Sequence, residues 1–109
     1  MKGNIFKVED KEYKEEEFET LLQYECLVLE RIISTGQTTP EGEWYDADRD
    51  EWVLLLQGKG ILQFEDGERV VMEPGDYILI KAHRRHKVVY TDLENKTIWL
   101  TLYYKNTKK

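Results

Sequence analysis

The sequence predicts an all-β fold, a small barrel or sandwich, and two observations support this prediction. From Leu27 onward, short runs rich in β-branched and aliphatic residues follow one another at regular spacing. Glycine, proline and aspartate stand between these runs, where a chain that reverses direction needs turn formers. With 109 residues the chain is long enough to bury one core and too short for two domains.

The first predicted element is the exception to the strand pattern. In KEEEFETLLQY, Phe18, Leu21 and Leu22 recur at helical spacing, and acidic residues crowd the first turn, where a helix dipole favours them. The pattern predicts a short N-terminal helix. We therefore divide the chain into an N-terminal helical or extended segment, residues 1–26, that packs on a β-barrel formed by residues 27–109.

The strands that follow are predicted in chain order from their composition and from the turns between them. Gly58 and Gly60 separate the second run from the third, and EDGE and EPGD mark the next two turns. The predicted strands are LVLERIIS, EWVLLLQ, GILQFE, RVVM, YILI, HKVVYT and TIWLTLYY.

One predicted strand, EWVLLLQ, is apolar on both faces. Val53 and Leu55 alternate with Trp52, Leu54 and Leu56, and the final strand has the same two-sided character. Apolar residues on both faces indicate a strand that is covered on both sides. One cover is the barrel interior, and the other is either the N-terminal segment or a second subunit. We expect a homodimer.

Composition excludes several classes of protein. The formal net charge is −6, from 22 acidic and 16 basic side chains, which argues against general nucleic-acid binding. No stretch approaches the roughly 18 to 20 apolar residues that would span a bilayer, so no membrane partner is expected. The N-terminus is acidic where a secretory signal would be apolar. Cys26 is the only cysteine, and a buried lone thiol would fit a reducing cytoplasm.

The two histidines of the chain lie three residues apart in ILIKAHRRHKVVY. Because residues three apart on an extended strand point to opposite faces, His83 and His86 are not both expected to face the interior. His86 is the candidate ligand and His83 is placed at the rim. The basic residues between Lys81 and Lys87 form either a solvated loop tip or a mouth that attracts an anionic small molecule.

The same segment resembles the second motif of the cupin family, whose members are small β-barrels. That motif reads glycine, five residues, proline, one residue, glycine, two residues, histidine, three residues, asparagine. Gly75 and His86 match it, whereas Lys81, His83 and Tyr90 stand at the proline, second glycine and asparagine positions. EPGD, which includes Gly75, is the usual beginning of such a motif. The resemblance implies a jelly-roll barrel, a cupin-type double-stranded β-helix.

The first cupin motif has two histidines one residue apart, then a glutamate, six residues and a glycine. Glu51 and Gly58 match the last part of it, and Trp44 and Asp46 occupy the histidine positions. The spacer Lys59–Pro74 between the motifs is short, as in compact bacterial members of the family.

A cupin metal site usually joins three imidazoles and one carboxylate, so the resemblance implies Asp46, Glu51 and His86 as metal ligands. Trp44 cannot ligate, because its indole nitrogen only donates hydrogen bonds. One imidazole and two carboxylates would suit Mn, Fe(II) or Zn, with water at the remaining positions.

Each candidate has a plainer interpretation. A buried Glu51 needs a partner or a raised pKa, and His86 could supply that partner directly without any metal. Asp46 belongs to YDADRDE, which could be a solvated acidic run. Trp44, His83 and Tyr90 are the candidate ligand-binding residues of the pocket, although the aromatic ones could equally be packing.

Three functions stay open. The first is a barrel that binds a small molecule, an anionic one if the basic loop forms the mouth, with or without a divalent metal. The second is a metal-dependent oxygenase, isomerase or lyase that acts on a small organic acid or sugar, with Tyr90 or His83 as acid or base. The third is a dimeric interaction domain with a vestigial pocket. Since cupin barrels host enzymes, binding domains and storage proteins alike, the fold does not choose among them.

Overall fold

The computed structural model describes residues 2–105, and within them the fold is built from β-strands alone. The all-β prediction is confirmed, and every predicted strand is present with its ends shifted by no more than about one residue. The eight strands are β1 (Glu17–Tyr24), β2 (Leu27–Ser34), β3 (Asp50–Gln57), β4 (Gly60–Phe64), β5 (Arg69–Met72), β6 (Tyr77–Ile80), β7 (His86–Thr91) and β8 (Thr97–Tyr104).

The strands form two antiparallel sheets that face each other across the core. The larger sheet has the order β1-β2-β8-β3-β6, and the smaller one has the order β5-β4-β7. Inward-facing side chains of both sheets interdigitate between them, since successive residues on a strand point to opposite faces. The core cluster consists of Val53, Leu55, Leu62, Phe64, Met72, Ile80 and Trp99.

The connection between β2 and β3, residues 35–49, is the longest irregular segment between strands, and we call it the strap. It runs along the free edge of β7. Thr39 donates from its backbone N–H to the Val88 carbonyl, and Tyr45 and His86 exchange both backbone hydrogen bonds, at 2.7 and 3.1 Å. A loop of this length without regular structure is commonly functional. Here it covers an edge that would otherwise expose unpaired backbone groups.

The predicted N-terminal helix is wrong, because this segment forms the edge strand β1. Its backbone pairs antiparallel with β2 from Glu17 to Tyr24, and a register shift between Thr20 and Leu22 leaves Leu21 as an extra residue. Such a bulge breaks the strict alternation of a strand, so the apolar residues imitate helical spacing. Hydrogen bonds to the edge of β2 outweigh the weak local preference for helix. The N-terminal segment is thus part of the larger sheet.

The outer face of the larger sheet is apolar over β3, β6 and β8, whereas Arg31 of β2 and Glu19 of β1 form an ion pair on the same face. Cross-strand partners share a face, and Trp52 pairs with both Leu79 and Leu102, while Leu54 pairs with Leu100. Val53, which alternates with them, lies in the core. The two-sided pattern of the sequence therefore corresponds to one face in the core and one face on the outside of the barrel.

Two further expectations concern Cys26 and the membrane. Cys26, expected to be buried, is exposed in the tight turn between β1 and β2, because a two-residue turn leaves nothing to cover it. Within residues 2–105, no helix is long and apolar enough to cross a membrane.

Candidate functional site

A cavity of about 130 Å³ lies between the two sheets beneath the strap, and it is open to solvent on one side. Apolar and aromatic side chains of both sheets form most of its wall. Inward-facing residues of β3 and β8 line one side, residues of β4 and β7 line the other, and the start of β1 and the strap surround the opening. The polar residues that line it are Glu16, Tyr45, Asp46, Glu51, His86, Thr101 and Tyr103.

Glu51 is the acidic group deepest in this cavity, since only 12% of its side chain is exposed. It stands next to the first residue of β3, on the same face as Val53 and Leu55, and it pairs across the sheet with Ile80 and Tyr103. Burial raises the pKa of Glu51 to about 7, since a carboxylate is poorly solvated there. Arg49 opposes this shift and Glu30 adds to it.

His86 lies opposite Glu51, at the start of β7. Its Nε2 is 3.8 Å from the Glu51 Oε1, and its Nδ1 is 3.4 Å from the Arg84 carbonyl oxygen. If Nδ1 carries the proton and donates to that carbonyl, Nε2 is the acceptor that faces Glu51. Burial lowers the pKa of His86, so it disfavours the charged imidazolium. The ring is held between those of Tyr45 and Phe64, at centroid distances of 5.5 and 6.0 Å.

The distance between His86 and Glu51 is too long for a direct hydrogen bond. Burial favours the uncharged form of each group, a protonated carboxyl beside a neutral imidazole. Glu51 and His86 therefore do not hydrogen-bond to each other, and both line the cavity. A polar atom of a bound molecule could hydrogen-bond to either side chain.

Thr101 supplies a third polar group to the same wall. It is 1% exposed, and within residues 2–105 its Oγ1 has no hydrogen-bond partner. Leaving a buried hydroxyl without a partner costs about 1 to 3 kcal/mol, which native structures rarely accept without a reason. Thr101 also lines the cavity, so the unpartnered hydroxyl belongs to a residue beside the space that a bound molecule would occupy.

The other predicted residues of the basic loop lie at the rim. The side chain of His83 is 70% exposed, and its Nδ1 is 3.1 Å from the Asp46 Oδ1. His83 has a φ of 65°, the left-handed conformation, at the position where the cupin motif has glycine. Its backbone N–H donates to the Ala47 carbonyl of the strap at 2.7 Å. His83 and Asp46 thus join the β6–β7 loop to the strap above the cavity.

The basic side chains of this loop make contacts outside the cavity. Arg84 donates to Glu68 and Arg85 donates to Glu65, each at 2.6 Å. Lys87 lies over the ring of Trp44, with 4.5 Å from Nζ to the centroid. Among the described residues, the cavity wall contains neither lysine nor arginine.

Two predicted ligand-binding residues, Trp44 and Tyr90, do not belong to the cavity wall. Tyr90 is exposed because a register shift between β4 and β7, next to Ile61, turns it to the outer face. Sequence reasoning missed Thr101 and Tyr103, which the alternation of β8 identifies as neighbours on one face. Tyr45 could be named from the sequence only as an aromatic residue of either the pocket or the packing, because no periodicity predicts where a residue of the strap points.

The side chains that could coordinate a metal are not arranged as in the metal site that the resemblance implies. Asp46 contacts His83 at the rim, so only Glu51 and His86 come together. In the part of the chain that the structure describes, no group of three histidine, cysteine, aspartate or glutamate side chains could hold a metal ion. A catalytic zinc site normally takes three protein ligands. The residues present do not fit a resident metal.

A two-sheet barrel with its polar groups inside is the architecture of the cupins, and the sequence matches the Cupin domain over residues 32–103. The chain belongs to the cupin family. A structure from Ralstonia eutropha JMP134, whose protein is described as a putative mannose-6-phosphate isomerase, is 38% identical. That match covers 97% of this chain and 99% of the other, with a TM-score of 0.92.

More distant solved structures share the fold alone. A cupin superfamily protein from Desulfitobacterium hafniense DCB-2 is 17% identical with a TM-score of 0.75, and the match covers 91% of this chain and 84% of the other. The polyketide cyclase RemF from Streptomyces resistomycificus is 19% identical with a TM-score of 0.70, over 85% and 67% of the two chains. No curated protein matches the sequence.

Proposed function

We propose that this cupin binds a small organic molecule in the cavity between its sheets. The observation that carries the proposal is Thr101, which lines the same cavity as Glu51 and His86 and whose buried hydroxyl has no partner among residues 2–105. Few polar groups in a mostly apolar, concave wall are typical of ligand sites, where the polar groups orient the ligand and the apolar wall excludes water.

The cavity sets the size of the ligand. An engineered apolar cavity of about 150 Å³ takes a benzene molecule, so a cavity of about 130 Å³ suits a ligand of roughly six non-hydrogen atoms. The opening beneath the strap lets a longer ligand extend past Tyr45 and Asp46 toward solvent. The anionic ligand expected from the basic loop is not favoured, because Arg84 and Arg85 are paired with carboxylates outside the cavity.

Replacing Thr101 by valine tests whether its hydroxyl serves a ligand. Without ligand, Thr101→Val should be more stable than the wild type by about 1 kcal/mol, since it removes an unpartnered buried hydroxyl at constant shape. It should also weaken the binding of compounds identified in a fragment screen by ligand-observed NMR. Urea unfolding and NMR titration measure the two effects.

Thr91→Val is the matched control, because Thr91 is equally buried but its Oγ1 donates to the Gln37 carbonyl at 2.7 Å. That variant should lose about 1 to 3 kcal/mol of stability and keep its ligands. If Thr101→Val is destabilised as much as Thr91→Val, the Thr101 hydroxyl has a partner in solution and the proposed site loses its main support.

The second candidate is an enzyme of the isomerase, oxygenase or lyase type acting on a sugar or small organic acid. It is favoured by the 38% identity to a protein described as a putative mannose-6-phosphate isomerase. Burial raises the pKa of Glu51 to about 7 and lowers the pKa of His86. Either group could therefore exchange a proton with a bound substrate.

Elemental analysis of untagged protein, purified without chelators, separates the two candidates. About one Mn, Fe or Zn per chain, lost in both Glu51→Ala and His86→Ala, would support a metal-dependent enzyme. Metal far below one per chain after reconstitution, together with no turnover of mannose 6-phosphate, would support binding without a metal.

We also infer that a second copy of the chain covers the apolar outer face of the larger sheet. Wild-type protein should sediment as a dimer at micromolar concentration. Leu100→Lys, on the central strand β8, should be a monomer because it places a charge in this face. Val71→Lys is the control on the smaller sheet, where Val71 is 51% exposed, and it should remain dimeric. A monomeric wild type would contradict the inference.

A further inference from the structure

We infer that the cavity selects a small organic cation, an amine whose ammonium group is bound by Glu51, His86 and Thr101. This inference rests on the proposed function and specifies its ligand class. The charge of the wall gives the first reason. Glu16, Asp46 and Glu51 line the cavity, and no lysine or arginine of residues 2–105 does. Asp46 is paired with His83 and Arg85 at the rim, and Glu16 accepts a hydrogen bond from the Ser34 hydroxyl, so Glu51 is the acidic group that supplies the charge inside the cavity.

The hydrogen-bonding groups give the second reason, which is independent of the charge. The Thr101 Oγ1 is fully buried without a partner, and a hydroxyl oxygen accepts as well as donates. A neutral His86 whose Nδ1 faces the Arg84 carbonyl offers Nε2 as another acceptor. With the Glu51 carboxylate, three acceptors line one cavity. A primary ammonium group carries three donors and no acceptor, so it matches this set.

The aromatic wall gives the third reason. The rings of Phe18, Tyr45, Trp99 and Tyr103 line the cavity around the carboxyl groups. The face of an aromatic ring attracts a cation, by about 0.5 to 1 kcal/mol at exposed sites and by about 2 kcal/mol or more where water is excluded. An anion such as a sugar phosphate would instead meet carboxyl groups and negative ring faces without a counter-charge.

The nearby cations do not neutralise Glu51 within the cavity. Arg49 stacks on Tyr103, with its Cζ 4.4 Å from the ring centroid, and it is not part of the cavity wall. The charged and titratable groups that act on Glu51 or lie opposite it are Arg49, Glu30, His86, Tyr45 and Tyr103. Among residues 2–105, Glu51 therefore has no cationic partner within the cavity wall.

The test compares three compounds of similar shape and different charge, namely cyclopentylamine, cyclopentanol and cyclopentanecarboxylate. Each is titrated into the full chain, with the amide signals of Val53, Trp99 and Thr101 followed by NMR. At a pH of about 8 we expect the amine to bind about tenfold more tightly than the alcohol, and the carboxylate to bind most weakly.

Glu51→Gln should remove the preference for the amine, while Glu94→Gln, which changes an exposed carboxyl in the β7–β8 turn, should leave it unchanged. Equal or tighter binding of the alcohol or the carboxylate, unaffected by Glu51→Gln, would overturn the cation selectivity and leave the proposed function intact. If none of the three compounds shifts the cavity signals at millimolar concentration, both the selectivity and the proposed function are contradicted.

Discussion

Glu51→Gln is expected to stabilise the protein by about 3 kcal/mol above pH 7 and to have little effect below pH 4.5. The folded protein holds the pKa of Glu51 at about 7, against an ordinary value of 4.5. Between pH 4.5 and about pH 7, the folded state therefore binds more protons at Glu51 than the unfolded state does. The free energy of unfolding then falls as the pH rises through this range. Glutamine has nearly the same shape and never ionises, so it avoids this loss.

The measurement is the free energy of unfolding by urea for both proteins between about pH 4 and pH 8. His86 acts in the opposite direction, because folding lowers its pKa below 6.5, and stability is lost as the pH falls through that region. Its contribution is common to both proteins and cancels in their difference to a first approximation. That difference should grow from pH 4.5 to pH 7 and then level off. Parallel curves for the two proteins would mean that Glu51 is solvated, which would contradict its burial in the cavity wall.

Gly58→Ala is expected to cost about 3 kcal/mol or more of stability, the second large effect. Gly58 ends β3 with a φ of +87°, which an L-residue adopts only at a cost. A Cβ at this position would lie 2.7 Å from the Thr97 Cα and would also overlap the Thr97 hydroxyl. The backbone of β8 would therefore have to move, and the variant should unfold at lower temperature and lower urea concentration.

Gly67→Ala separates the two causes of this loss. Gly67 has a similar φ of +96°, but an added Cβ would meet no atom within 4 Å. Its substitution should cost about 1 kcal/mol from backbone conformation alone. Equal losses in Gly58→Ala and Gly67→Ala would show that the contact with Thr97 does not constrain the fold.

Most of the fold could be predicted because its strands carry local signals. Gly58, Gly67 and Gly75 each adopt a positive φ in a turn. Along the strands between the turns, inward-facing and outward-facing side chains alternate. The segment around Leu21 was misassigned because a bulge and a helix place apolar residues at similar intervals. Only the pairing partner, β2, distinguishes the two structures, and that information lies outside the segment.

The candidate site could be predicted in part. The sequence places Glu51 and His86 together, either as metal ligands or as a direct pair, and in the structure they lie 3.8 Å apart, too far for a direct hydrogen bond. Asp46 was placed with them by its position in the motif, yet the strap directs it to His83. The direction of a side chain in a long loop depends on distant hydrogen bonds, here those between the strap and β7, which no local period encodes.

The central position of β8 affects how the chain can fold during synthesis. β8 lies between β2 and β3, so the five-stranded sheet cannot assemble until residue 104 has been made. Until then β2 and β3 each expose an unpaired edge, and β1 with β2 is a two-stranded ribbon, which is marginally stable in water. Nascent chains shorter than this should remain unfolded and prone to aggregation. Closure then joins strands far apart in sequence, which makes folding slow for a chain of this size.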